Sequence, residues 1–215
     1  MASNPGITPT VVTHPLVQHK LTIMRKTETA CREFRQLLHE IGLMLGYEAL
    51  KDLPTKDVEI TTPVATTTQQ MLDGKKLCLV SIWRAGDGLL APFLDLVPSA
   101  RVAHLGLARN EETLKPEPYK FVYPGKLDER VTVVLDPMLA TGNSAAYAVQ
   151  QMKDAGATDI RFVCLLAAPE GIETLSKAHP DVPITTAAID SHLNEKGYIV
   201  PGLGDAGDRI FGTKG

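Results

Sequence analysis

Apolar positions along this chain follow two different spacings. From Thr29 onward, Ala30, Phe34, Leu37, Leu38, Ile41 and Leu45 recur every three to four residues, which predicts an amphipathic helix capped by Thr29. Later, five short runs are almost uniformly apolar: KLCLVSI (76–82), RVAHLGL (101–107), RVTVVL (130–135), DIRFVCLLAA (159–168) and ITTAAI (184–189). Such runs predict strands buried on both faces. Helical patterns separate most of them, namely GLLAPFLDL (88–96), SAAYAVQQMKDAG (144–156) and GIETLSKAH (171–179), with Gly156 placed to close the second. Strands alternating with helices predict the α/β class: an open, mostly parallel sheet flanked by helices, with ligands bound beyond the carboxyl ends of its strands.

No internal repeat and no low-complexity linker interrupts the pattern, so a single domain over 1–215 is expected. Its first stretch, 1–13, is rich in Pro, Thr and Gly and reads as an N-terminal arm. The polar stretch 109–130, RNEETLKPEPYKFVYPGKLDER, is too long for an ordinary turn and reads as a flap or hairpin arm over the site.

The chemistry concentrates in VVLDPMLATGNSAAY (133–147). A buried strand runs into Asp136-Pro137, and a helix begins after MLATGNS. Unpaired amides and the positive end of the helix dipole at such a junction suit a phosphate monoester. Thr141 and Ser144 add hydroxyl donors, and Gly142 permits close backbone approach. The run is neither a Walker A loop nor a dinucleotide-binding glycine loop. For TGNS alone a strand, an Asx-type turn and a Ser N-cap explain the residues equally well. The carboxylate beside the cradle favours a ligand with sugar hydroxyls as well as a phosphate.

Composition removes several alternatives. The 215 residues are 44% hydrophobic and 22% charged, with a formal charge of -3 and a pI near 6.1, so no basic face for nucleic acid or an anionic membrane is expected. No apolar run reaches the roughly 18 residues of a membrane span, and no basic stretch leads into an apolar one near residue 1, so a cytoplasmic location is expected. Cys31, Cys78 and Cys164 lack metal-ligand spacing and read as reduced core residues. The six histidines are scattered, and His104, inside an apolar strand, is expected to be a satisfied structural residue.

VVLDPMLATGNS resembles the signature with which type I phosphoribosyltransferases bind phosphoribosyl diphosphate (PRPP), and its Asp-Pro-Met-Leu-Ala-Thr-Gly order is similar to the uracil-specific branch of that family. HPLVQHKLTIMR (14–25), RAGDGLL (84–90), RNEETLKPEPY (109–119), APEGIETLSKAHPDV (168–182) and GYIVPGLGDAGDRIFGTK (197–214) resemble the same branch in the same order. The resemblance implies the type I phosphoribosyltransferase fold, with a flexible hairpin flap and a small C-terminal base-binding hood over 190–215. It implies transfer of phosphoribose from PRPP to uracil, giving UMP and diphosphate in pyrimidine salvage, with Mg²⁺ bound alongside PRPP.

By the same resemblance, PRPP contacts fall to Arg84, Arg109, Asp136, Pro137, Met138, Leu139, Ala140, Thr141, Gly142, Asn143, Ser144 and Asp205. Asp136, Arg109 and Asp205 are implied as catalytic, Asp205 also as the candidate to approach Mg²⁺. Uracil contacts are implied for Ile199, Gly204, Asp205 and Ala206. Two strand-end arginines suit diphosphate oxygens because a guanidinium is a fixed fork of donors. A homodimer or homotetramer and a GTP effector are further properties of some members. Here Asp87 stands where an apolar residue is common and Trp83 where an aliphatic one is. Asn143 stands where a second glycine is usual and is expected to tolerate a left-handed backbone, and KFVYPGKL departs from the usual flap arrangement. Competing readings are a regulator of the same fold that binds RNA, a silent ligand sensor, and an enzyme for another nucleobase.

Overall fold

A computed structural model describes residues 8–109 and 116–213. In chain order come β1 (Thr10–Val11), α1 (Pro15–Arg25), α2 (Cys31–Ala49), β2 (Thr55–Thr61), β3 (Thr66–Leu72), β4 (Cys78–Trp83) and α3 (Asp87–Leu96). β5 (Arg101–Arg109), β6 (Pro116–Val122), β7 (Val131–Leu135), β8 (Met138–Leu139) and α4 (Asn143–Asp154) follow. The chain then continues through β9 (Asp159–Ala167), α5 (Pro169–Ala178), β10 (Ile184–Ile189), β11 (His192–Leu193), β12 (Ile199–Val200) and α6 (Ala206–Phe211).

The main sheet runs β1-β10-β9-β7-β4-β5-β6, with β8 also paired to β9. Every pairing is parallel except β5 with β6. All five apolar runs predicted as strands lie in it. Successive side chains of a strand face opposite ways, so Val133 and Leu135 join one apolar layer with Phe34, Ile41 and Phe93, whereas Val134 joins the other with Ala148, Met152 and Leu175. Burial on both faces explains why these strands carry no polar alternation.

Two local expectations are corrected, and one segment takes a structure that the sequence did not assign. Thr10 and Val11, placed in an N-terminal arm by the sequence, pair in parallel with Thr185 and Thr186 at the sheet edge. HPLVQHKLTIMR forms a helix, α1, with Pro15 at its first turn and the His14 ring accepting from the Leu16 amide. Thr29 does not cap α2; Ala30 occupies the cap position, and the Thr29 hydroxyl donates to the Ile23 carbonyl at 2.5 Å. β2 and β3 form a separate antiparallel hairpin that the apolar pattern did not reveal, because its residues are nearly all exposed. In the flap region β6 returns antiparallel to β5, and residues 110–115 lie outside the described part. Among the described residues no helix is long and apolar enough to cross a membrane.

Candidate active site

The direction of sheet winding reverses between β4 and β7, since β5 lies beyond β4 while β9 and β10 lie beyond β7. A crevice opens at the carboxyl ends of strands at such a reversal. β4 runs out at Trp83 into Arg84-Ala85-Gly86, and β7 runs out at Leu135 into Asp136. An open cavity of about 410 Å³ occupies this place, bounded by Ala85 on the β4 side and by Asp136, Met138, Ala140 and Ser144 on the β7 side. Ile199, Gly204, Asp205 and Ala206 close it from the C-terminal segment.

An adjoining cavity of about 120 Å³ is lined by Leu139, Ala140, Thr141, Gly142, Ser144 and Ala145, and it shares Asp136, Met138, Ala140, Ser144 and Gly197 with the first. Gly142 has a φ of 81° and precedes the first residue of α4. The first bond closing the helix runs from the Ala146 amide to the Gly142 carbonyl, at 2.8 Å. The amides of residues 141–145 therefore have no backbone acceptor among the described residues, which leaves them available to an anion. The left-handed position falls at Gly142, and Asn143 simply begins the helix, so the expected tolerance of Asn for a left-handed backbone is not used.

The cradle is pressed against the start of α5. A Cβ added at Gly171 would lie 2.5 Å from the Leu139 carbonyl oxygen and closer still to that of Ala140, and one at Gly142 would lie 2.6 Å from the Gly171 carbonyl oxygen. Only a pair of glycines allows this approach. Pro137 is buried and lines neither cavity; its carbonyl accepts from the Leu165 and Leu166 amides at 2.9 and 3.0 Å and ties the loop to β9. The Leu139 carbonyl likewise accepts from Ala168. Asn143 lines neither cavity.

Asp136 touches both cavities, but most of its surroundings are protein. Loss of water pushes its carboxyl up to about 7, opposed only in part by the Met138 amide, which donates to Oδ1 at 3.3 Å. Asp205 caps α6 and accepts from the Asp208 amide at 2.9 Å while lining the larger cavity. Arg84 is exposed beside the cavity, its guanidinium 5.9 Å from the centroid of the Phe211 ring. The backbone of Arg109 ends β5; its side chain lies outside the described residues.

Several residues that hold this site were not singled out in the sequence. Arg25 makes a two-point ion pair with Asp190, at 2.8 and 2.7 Å, and also donates to the Gly202 carbonyl at 2.8 Å. Asp190 accepts from the Gly202 amide at 2.9 Å. Arg209 donates to the carbonyls of Met24, Leu203, Lys26 and Thr29. These arginines fasten the 199–206 loop to α1, a contact between residues over 160 positions apart that no local pattern signals. Lys196, Gly197, Tyr198 and Gly207 also line the cavity; all but Lys196 fall within GYIVPGLGDAGDRIFGTK, and the glycines of that stretch were the available clue. His104, expected to be satisfied, is half-buried with its Nδ1 buried and without a hydrogen-bond partner. No group of three or more His, Cys, Asp or Glu side chains suited to caging a metal occurs among the described residues.

Comparison with known proteins agrees with this geometry. The profile of the family described as Uracil phosphoribosyltransferase matches residues 11–213. A uracil phosphoribosyltransferase of Mesorhizobium japonicum is 61% identical over 205 residues, covering 95% of this chain and 98% of that protein. One from Streptococcus equi subsp. zooepidemicus is 57% identical over 204 residues, with the same coverage. Among solved structures, the AQ2163 protein from Aquifex aeolicus superposes with a TM-score of 0.90 at 37% identity, over 96% of this chain and 99% of that one. APRTase from Giardia lamblia, complexed with 9-deazaadenine, shares the fold with a TM-score of 0.50 at 15% identity, over 73% of this chain and 81% of that one.

Proposed function

The chain belongs to the uracil phosphoribosyltransferase family, and from that premise we propose how its residues divide the conversion of uracil and PRPP to UMP and diphosphate. In this reaction the C1′–O bond of PRPP breaks with its electron pair leaving on diphosphate. A bond from uracil N1 to C1′ forms, and the N1 proton passes to the departing diphosphate or to water. The transition state is a cationic sugar between two groups, so positioning and electrostatics carry the catalysis.

The 5′-phosphate sits among the free amides of residues 141–145, with the Thr141 and Ser144 hydroxyls beside them. Asp136, one residue beyond β7, accepts the ribose hydroxyls and faces the sugar as it becomes cationic. Diphosphate leaves toward the Arg84-Ala85-Gly86 turn, where the Arg84 and Ala85 amides have no backbone acceptor among the described residues. Arg109, from the end of the adjacent strand, joins it. Uracil presents an acceptor, a donor and an acceptor along one edge, which the backbone of Ile199, Gly204 and Ala206 can match with complementary groups. Cytosine would set donor against donor and leave buried groups unpaired, a loss of about 1–3 kcal/mol.

Bound together with PRPP, Mg²⁺ would supply positive charge beside the diphosphate. The residues fit such an ion: Asp205 lines the cavity and would offer it a carboxylate, and Mg²⁺ usually takes one or two carboxylates, with substrate phosphates and water for the rest. We extend the same reading to a homodimer or homotetramer, and to GTP as the effector to test.

The observation that carries the proposal is the meeting of a carboxylate and an amide cradle at the strand-order reversal, one cavity away from the 199–206 loop. Purified protein given radiolabelled uracil, PRPP and Mg²⁺, with and without GTP, yields labelled UMP. Cytosine, orotate, adenine and hypoxanthine in excess leave that product undiminished. Absence of UMP, or preference for another base, overturns the assignment.

A further inference from the structure

Asp87 and Trp83, on either side of the β4–α3 turn, meet in one side-chain cluster. Asp87, the first residue of α3, accepts on Oδ1 from the Ser81 hydroxyl at 2.6 Å and from the Trp83 indole N–H at 3.1 Å. Ser81 is fully buried in β4, and Trp83 is the last residue of that strand. From β5, His104 Nδ1 faces the same oxygen at 3.8 Å, and its ring lies 4.8 Å from that of Trp83. Asp87 thus gives the indole N–H an acceptor that an apolar residue at 87 would not provide.

The bonds bracket Arg84, Ala85 and Gly86. Inside the bracket the Gly86 amide donates to the Ile82 carbonyl at 2.8 Å, and those of Asp87 and Gly88 donate to the Arg84 and Ala85 carbonyls at 3.2 and 3.0 Å. A Cβ at Gly86 would lie 2.5 Å from the Leu135 carbonyl oxygen, so the turn is wedged against β7 as well. Ala85 lines the larger cavity.

We propose that Asp87 is a positioning residue which, through Ser81 and Trp83, holds the Arg84-Ala85-Gly86 turn in the arrangement that receives diphosphate. This rests on the placement of the diphosphate at that turn made above. The clamp works by accepting two hydrogen bonds, and its charge is incidental. A buried Ser81 hydroxyl deprived of its acceptor is left unsatisfied or must turn to another, and either loosens the tie between β4 and the start of α3. The simpler role for an acid at a helix start, an interaction with the helix dipole, would affect stability without regard to ligand.

Trp83 is the sole tryptophan of the chain, so its emission reports on the turn directly. Inorganic diphosphate with Mg²⁺ is titrated into the wild type, Asp87→Ala, Asp87→Asn and Arg84→Ala, followed by calorimetry and by Trp83 emission. Steady-state constants for PRPP and uracil are measured beside them. Asp87→Ala weakens diphosphate binding and raises the KM for PRPP by about ten-fold, leaving the KM for uracil unchanged. Asp87→Asn, whose amide oxygen still accepts both bonds, restores the wild-type values. If Arg84→Ala binds diphosphate as the wild type does, the placement of diphosphate fails and the clamp with it. If Arg84→Ala binds weakly but Asp87→Ala binds normally, the clamp alone is wrong. An Asn variant as impaired as Ala overturns it too. Should Asp87→Ala not fold, Ser81→Ala removes one clamp donor and gives the same selective change, smaller in size; normal binding by that variant refutes the clamp.

Discussion

Replacing Asp136 by asparagine keeps the acceptor for the Met138 amide and the size of the side chain while removing a charge from a mostly dry place. In the folded protein this carboxyl is pushed from its ordinary 3.8 up to about 7 by loss of water. The folded state therefore holds the proton more tightly than the unfolded chain does. The stability this group contributes is complete below about pH 4 and is lost as the pH rises through 7. Over that whole window the loss amounts to about 4 kcal/mol at most, since one side of the carboxylate meets the open cavity. Asparagine carries no proton to lose, so between pH 5 and pH 8 the ligand-free variant gains about 2–3 kcal/mol relative to the wild type. In a chain of 215 residues that is a relative rise in melting temperature of roughly 5–10 °C. The lowered carboxyls, Glu40, Asp73, Glu129, Glu170 and Asp181, are shared by both proteins and cancel in the difference. Paired urea or thermal unfolding at the two pH values measures it. Turnover falls in the same variant by about 10²-fold or more, because a charge facing the sugar is gone. A stability difference independent of pH, or a variant less stable at pH 8, would refute the account of Asp136 as a strained, desolvated acid; a fully active variant would return it to a turn former.

Two other substitutions probe how the site is held. Gly171→Ala drives a methyl into the Leu139 and Ala140 carbonyls, so it costs about 1–3 kcal/mol of stability and raises the KM for PRPP with that for uracil little changed; equal kinetics in both substrates would show the cradle to be indifferent to α5. Asp190→Asn breaks the two-point bond to Arg25 and loosens Gly202, costing about 2–4 kcal/mol. Its kinetic signature is a raised KM for uracil above that for PRPP, and a loss confined to thermal stability would count against a role in shaping the base site.

The five buried strands and the helix after each of most of them were legible in the chain because a parallel sheet covered on both faces demands unbroken apolar runs, and such runs are a local property. So was the Asp136–Ser144 loop, since acid, glycine and hydroxyls must follow one another there to end a strand and open a helix. The β2–β3 hairpin was not legible, having almost no buried face to impose a period. Neither was α1, whose three buried residues, Val17, Leu21 and Met24, make too narrow a stripe. What the tertiary structure alone decided is which distant groups meet. The winding of the sheet puts Arg84 and Asp136 at adjacent strand ends, Arg25 reaches Asp190 and Gly202 across most of the chain, and Trp83 finds a hydrogen-bond acceptor in Asp87. A hydrogen bond or an ion pair depends on position in space to within a fraction of an ångström, and sequence distance carries no record of that, whereas hydrophobic period is written residue by residue.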